Sequence, residues 1–218
     1  MKETYFLPET IHQTAIEMQR LSVGSRHYRN RDFRPEEAAL LVLDMQNFFF
    51  EPKSHAFIPS GPAVSENIKR LVSAFNQHRR PVIFTRHINT DENAGMMARW
   101  WGDMILASSK ESELIADLKP MAEMLIEKCQ YDAFYKTGML NILEARNVRQ
   151  LVISGVMTHL CCETTARSAF MQGFEVYFPV DATATYNRRL HEAALLILGH
   201  GFAEIPTVAE ILELMDTG

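Results

Sequence analysis

The sequence predicts an α/β protein of three layers, with helices on both sides of a mainly parallel, six-stranded sheet. Three observations carry this. Short apolar, β-branched runs recur along the chain, separated by segments whose apolar residues fall at helical spacing. The runs are apolar throughout rather than alternating, the pattern of strands buried on both faces. Several runs end in a polar or reactive side chain, as in open parallel sheets, where ligands bind at the carboxyl ends of the strands.

Residues 1–36 are polar and mixed, with scattered aromatic and apolar side chains. They read as an arm or short helix that covers the domain or a neighbouring subunit. Residues 37–218 form the domain proper. Ala38–Met45 reads as the first strand. Pro62 suits the first turn of a helix, where its missing N–H costs nothing, and Val64, Ile68, Leu71 and Phe75 follow at helical spacing. Pro81–His87 is the second strand, and Asn89–Lys110 is a long connection of the kind that often carries function. Met124–Lys128 is a strand and Leu140–Arg146 a short helix. Leu151–Val156 is a strand, and Cys161–Gln172 a helix that Gly173 is placed to end. Glu175–Asp181 reads as strand, Leu190, Ala193, Ala194 and Ile197 as one helix face, and Phe202–Ile205 as the last strand.

Composition bounds the function. A chain of 218 residues with 47% hydrophobic content makes one globular domain with ample core. The net charge is −5 and no basic stretch is interleaved with aromatics, which argues against nucleic acid as a partner. Three cysteines, two of them adjacent and none in a C-x-x-C pair, indicate neither a disulfide framework nor a zinc knuckle. The amino terminus lacks the apolar core of a signal peptide, and no apolar run approaches the ~20 residues of a membrane span. No membrane is expected, and a reducing cytoplasm is the expected location.

Three strand ends offer chemistry. Cys161 follows the turn after Leu151–Val156, where helix N–H groups and the helix dipole favour a thiolate. The alternative is a small side chain packing the junction. Asp44 and Lys128 close two other apolar runs, and both are hard to bury unpaired. Read singly, Asp44 is equally a loop cap, and Lys128 equally a stem that snorkels to the sheet edge. An acid, a cation and a thiol at neighbouring strand ends are better explained together, as one site.

Three segments resemble the isochorismatase-like cysteine hydrolases, in the order that family has them. They are Leu43–Phe49 (LDMQNFF), Glu127–Phe134 (EKCQYDAF) and Gly155–Ala166 (GVMTHLCCETTA), within a resemblance that runs from about Ala38 to about Ile211. The resemblance implies a Rossmann-like fold and a catalytic triad of Asp44, Lys128 and Cys161. It further implies an oxyanion hole from the backbone N–H groups of Met157 and Cys161, with a cis peptide at Val156–Met157. A homodimer or higher homo-oligomer acting on a small molecule is expected. Amide-cleaving members carry cysteine at the position of Cys161. Isochorismatases commonly carry glycine there, followed by cysteine, and tend to have histidine at the position of His159. This chain is mixed, since His159 and Cys162 look like isochorismatase. Cys161 favours hydrolysis of a C–N bond, amide or carbamoyl, through a thioester. The alternative is a vinyl-ether hydrolase that uses Asp44 without covalent catalysis.

Nicotinamidases of this family hold a metal partly through an Asp-x-His pair, and no Asp-x-His occurs here. His55 and His87 stand singly, so neither metal nor other cofactor is expected. The substrate-binding candidates are Phe49, Arg86, His87, Trp100, Tyr131 and Phe134. Arg86 suits a substrate carboxylate, or else an exposed ion pair. Phe48–Phe50 and Trp100–Trp101 suit a pocket wall or a subunit contact, and Asp181 suits structural support of a loop.

Overall fold

The computed structural model describes residues 1–22 and 32–217. Its strands are β1 (Ala38–Leu43), β2 (Val82–His87), β3 (Leu125–Lys128), β4 (Gln150–Val156), β5 (Glu175–Tyr177), β6 (Thr183–Ala184) and β7 (Ala203–Glu204). The helices are α1 (Ile11–Ser22), α2 (Asn47–Phe50), α3 (Gly61–Gln77), α4 (Met96–Trp101), α5 (Met139–Glu144), α6 (Glu163–Met171), α7 (Arg188–Gly201) and α8 (Val208–Thr217). The sheet runs β3-β2-β1-β4-β5-β7, with β6 beside the end of β4, and every ladder is parallel. Every residue of β1 and β4 is buried, which is why both segments are apolar without alternation.

The six expected strands are present, and β6 makes a seventh. The run from Glu175 breaks at Pro179, which has no N–H to give a ladder, and a 3₁₀ turn at Val180–Ala182 follows. The chain then rejoins the sheet as β6. It pairs with Gly155 and Val156, beyond the Gln150–Val152 stretch that β5 occupies. Asp181 on this turn supports structure, as its position suggests. Its Oδ1 accepts from the Val208 N–H at 2.7 Å and its Oδ2 from Asn67 Nδ2 at 3.1 Å, which ties the start of α8 to α3.

Helix α8 escapes the periodicity reading, although its start is written in the sequence. Thr207 N donates to Glu210 Oε2 at 2.6 Å, and Glu210 N donates to Thr207 Oγ1 at 3.2 Å, a reciprocal capping box of the T-x-x-E kind. The amino-terminal arm covers its own domain. Phe6, Ile11, Ala15 and Met18 are buried, and α1 packs on α7 and on the Val180–Ala182 turn.

Strand order places the site. From β1 the chain adds β2 and then β3 on one side, and crosses back to add β4 on the other. The crevice at such a reversal lies at the carboxyl ends of β1 and β4. The two backbones come unusually close there. Gly155 is paired with Leu43 and has φ of +109°, and a Cβ at Gly155 would sit 2.1 Å from the Leu43 carbonyl oxygen. Gly155→Ala is therefore expected to destabilise the protein by more than about 4 kcal/mol in urea denaturation, through both clash and strain. A loss under about 1 kcal/mol would mean that β1 and β4 separate easily at this point.

Candidate active site

Asp44, Lys128 and Cys161 come together at the carboxyl end of the sheet. Asp44 is the residue after β1 and takes the left-handed backbone conformation, with φ of +51°. Thr85 on β2 holds it there. The Asp44 N–H donates to the Thr85 carbonyl at 3.2 Å, and Thr85 Oγ1 donates to Asp44 Oδ1 at 2.7 Å. Lys128 ends β3, two strand spacings or about 9.6 Å from β1, a gap that its long stem spans beneath the pocket. Its ammonium has three close polar neighbours. They are Asp44 Oδ2 at 2.6 Å, the Gln130 carbonyl at 2.9 Å and Cys161 Sγ at 3.4 Å. Neither the Asp44 nor the Lys128 side chain has exposed surface.

Cys161 does not open α6. It sits in a turn of π-helix, Thr158–Cys162, between β4 and α6, and the Val156–Met157 peptide before that turn is cis. Thr158 pins the turn. Its hydroxyl donates to His191 Nδ1 at 2.9 Å, because His191 Nε2 donates to the Val180 carbonyl at 3.1 Å. Burial pushes the His191 pKa down to about 3, so the ring is a neutral strut. A second tie comes from Thr165 on α6, whose Oγ1 accepts from the Ala133 N–H at 3.0 Å and fixes the loop after Lys128.

The electrostatics differ from the thiolate that the sequence suggests. Burial is the largest influence on Cys161 and pushes its pKa up to about 12, against the pull of Lys128. The resting sulfur is therefore a thiol, with Lys128 Nζ 3.4 Å away. Burial also works against the Lys128 ammonium, but Asp44 and Cys161 outweigh it and hold the pKa above the ordinary lysine value. The Lys128 ammonium thus touches both the Asp44 side chain and a neutral thiol.

The pocket over Cys161 holds about 490 Å³ of empty space, part of it open to solvent. Phe48, Phe49, Met97, Trp101, Ile105, Tyr131, Met157, Leu160 and Tyr186 give it apolar and aromatic walls. His55, His87, Asn89 and Asp103 supply the polar atoms, and among the described residues no arginine or lysine lines it. Of the residues expected to contact substrate, Phe49, His87 and Tyr131 stand on its wall.

Arg86, Trp100 and Phe134 are placed elsewhere. Arg86 alternates with Thr85 and His87 along β2, so it leaves from the opposite face, where Glu127 accepts from its Nε at 3.1 Å. Trp100 is 74% exposed, and its neighbour Trp101 turns inward and donates from Nε1 to Tyr131 Oη at 2.7 Å. Phe134 stacks on Phe174, with ring centroids 6.0 Å apart. His159 lies outside the pocket lining and shares a 2.6 Å hydrogen bond with Thr185 Oγ1, and Cys162 is fully buried in the core.

Thr85, Asn89, Asp103, Tyr186 and His191 enter the site without a sequence signal of their own, apart from Thr85, two positions before His87 on one strand face. Asp103 pairs with His55 Nδ1 at 2.7 Å, and that imidazole stacks on Trp101 at 6.0 Å between centroids. Asp44, His87 and Cys161 each offer a ligand atom, all within 4.8 Å of one another. These residues do not fit a divalent metal, because the Lys128 ammonium already sits on both Asp44 and Cys161. No step is assigned to one.

Known proteins place the chain. The isochorismatase domain model matches residues 38–210. Nicotinamidase 3 of Arabidopsis thaliana is 40% identical over 189 residues, covering 84% of this chain and 91% of that protein. The isochorismatase of Bacillus subtilis strain 168 is 32% identical over 74% of this chain, which spans only 52% of that longer relative. The crystal structure of a cysteine hydrolase from Pseudomonas syringae pv. phaseolicola 1448A superposes with a TM-score of 0.83. It covers 88% of this chain and 99% of the other at 24% identity, a likeness of fold. By its sequence over most of its length, and by its parallel sheet, the chain belongs to the isochorismatase family and is a hydrolase.

Proposed function

We propose that the protein is a cysteine-dependent amidohydrolase that cleaves the C–N bond of a small, uncharged, flat carboxamide. The observation that carries this is an ammonium that touches both a carboxylate and a cysteine sulfur, under a pocket with aromatic walls that, among the described residues, no arginine or lysine lines. In the proposed reaction Cys161 Sγ attacks the carbonyl carbon as its proton passes to Asp44. The carbonyl π electrons move to oxygen, which the N–H groups of Met157 and Cys161 receive. The C–N bond breaks and Asp44 returns the proton to nitrogen, so ammonia or an amine leaves and a thioester remains. Water then attacks the thioester and gives a proton to Asp44. The C–S bond breaks, and that proton restores the thiol. Lys128 holds Asp44 in place and stabilises the sulfur as charge develops on it. Residues 37–218 carry this chemistry, and the described part of the amino-terminal arm, residues 1–22, packs against them.

The vinyl-ether reading has less support. Isochorismate is a dicarboxylate, and among the described residues no arginine or lysine lines the pocket to receive one. His159, the residue that looks most like an isochorismatase, is turned onto Thr185. Nicotinamide, suggested by the Arabidopsis relative, heads a panel of aromatic and aliphatic primary carboxamides to be assayed beside isochorismate.

On the amide that is turned over, Cys161→Ala should lower kcat by at least about a thousandfold, while Cys162→Ser should change it little. Full isochorismate turnover by Cys161→Ala, with no amide cleaved by wild type, would favour Asp44 acting alone. Iodoacetamide labelling checks the starting state. With the thiol pKa raised to about 12, labelling of Cys161 should be slow at pH 7 and rise about tenfold per pH unit through the alkaline range. A rate already flat at neutral pH would reveal a preformed thiolate. The exposed Met96, Trp100 and Leu106, on the connection that walls the pocket, suit a subunit contact. A homo-oligomer is the expected species in analytical ultracentrifugation at micromolar concentration, and a monomer would oppose it.

A further inference from the structure

We infer that His87 is the hydrogen-bond acceptor that reads an N–H of the substrate amide, a specificity-determining residue for the C–N hydrolysis proposed above, on which this inference rests. His87 closes β2 and is buried at 3% exposure, yet it stands on the pocket wall. Its tautomer is fixed by its neighbour. Asn89 Nδ2 donates to the Cys129 carbonyl at 3.1 Å, which leaves Asn89 Oδ1, 2.9 Å from His87 Nε2, to accept the ring N–H. The neutral imidazole then has its hydrogen on Nε2 and a lone pair on Nδ1. Burial, and next the charge of Lys128, push the His87 pKa down to about 4, so that lone pair stays unprotonated at neutral pH. Among the described residues no donor is bonded to Nδ1.

The position of the ring gives the lone pair its use. A ring nitrogen of His87, a carboxylate oxygen of Asp44 and Cys161 Sγ all lie within 4.8 Å of one another. A carbonyl carbon in reach of Sγ therefore carries its substituents past His87. Its oxygen goes to the backbone donors, and its nitrogen must approach Asp44 to be protonated. A primary carboxamide brings two N–H groups to this spot. Asp44 accepts one, and the other needs an acceptor. Lys128 has only donors, directed at Asp44, Gln130 and Cys161. His87 Nδ1 is the acceptor that remains. An ester or a vinyl ether presents an oxygen lone pair there, which a second lone pair repels, so the same atom that favours amides disfavours ethers.

The test uses the full chain with nicotinamide and its matched ester, methyl nicotinate. His87→Phe keeps a planar ring and removes the acceptor. It should lower kcat/KM for the amide about tenfold, the scale of one lost hydrogen bond, while the ester rate holds or rises. His87→Gln, which offers Oε1 as acceptor, should recover most of the amide rate. Equal losses on amide and ester would overturn the inference. If His87→Phe does not fold, Asn89→Leu serves, since it frees the tautomer. It should lower the amide-over-ester ratio, and an unchanged ratio would equally overturn the assignment. A wild-type enzyme that cleaves the ester but no carboxamide of the panel would instead overturn the amidase reading.

Discussion

The buried pair of Asp44 and Lys128 is the constraint around which the rest of the site is built. Taking two ions out of water costs several kcal/mol each, and their attraction offsets this only with good geometry and full hydrogen bonding. The structure answers chiefly through proximity, with Lys128 Nζ 2.6 Å from Asp44 Oδ2. Lys128 forms an ion pair with Asp44 Oδ2 and donates to the Gln130 carbonyl and Cys161 Sγ, and Thr85 donates to Asp44 Oδ1. Such an arrangement needs β1, β2 and β3 side by side and parallel, so that the carboxyl ends lie at one level. It also needs the chain to turn sharply after β1, which the positive φ of Asp44 achieves at a cost of about 1–2 kcal/mol. Gly155 then lets β4 bring the cysteine turn against this corner.

The same pair explains how much of the site was legible in the sequence. An ionisable residue at the end of an apolar, β-branched run is conspicuous because burial penalises it, so Asp44 and Lys128 could be read from their positions. The strands could be read for the same reason. Full burial of β1 and β4 removes the alternation that would have confused them with helices or surface strands. What stayed hidden depends on long-range approach. Nothing local in Asp103 shows that it meets His55, 48 positions away, and nothing in His191 shows that it braces Thr158, 33 positions away. The choice between Trp100 and Trp101 turned on the orientation of a single short helix, α4. Arg86 was legible in principle, since strand alternation puts it opposite Thr85 and His87.

The state of the sulfur was the other point that sequence alone misjudged. Position near a helix start argues for a thiolate, and that reasoning holds where solvent or a dipole end reaches the sulfur. Here the cysteine sits in a π turn, buried at the floor of the pocket, and the desolvation of a thiolate outweighs the nearby ammonium. The local motif cannot report how deeply the assembled fold will bury it.

A neutral thiol beside a carboxylate is a consistent starting point for the chemistry. If the resting state were a thiolate, the carboxylate and the sulfur would together place two negative charges against one ammonium, in a site that no other lysine or arginine lines among the described residues. Moving the proton only as the carbonyl arrives keeps the buried charge balanced. In the proposed reaction, negative charge leaves Asp44 as it grows on the substrate oxygen, which backbone N–H groups would receive. A substrate bearing its own carboxylate would upset that balance. On the proposed mechanism, the aromatic walls and the charges of Asp44 and Lys128 therefore favour the same property, an uncharged molecule whose only strong polarity is the group to be cleaved.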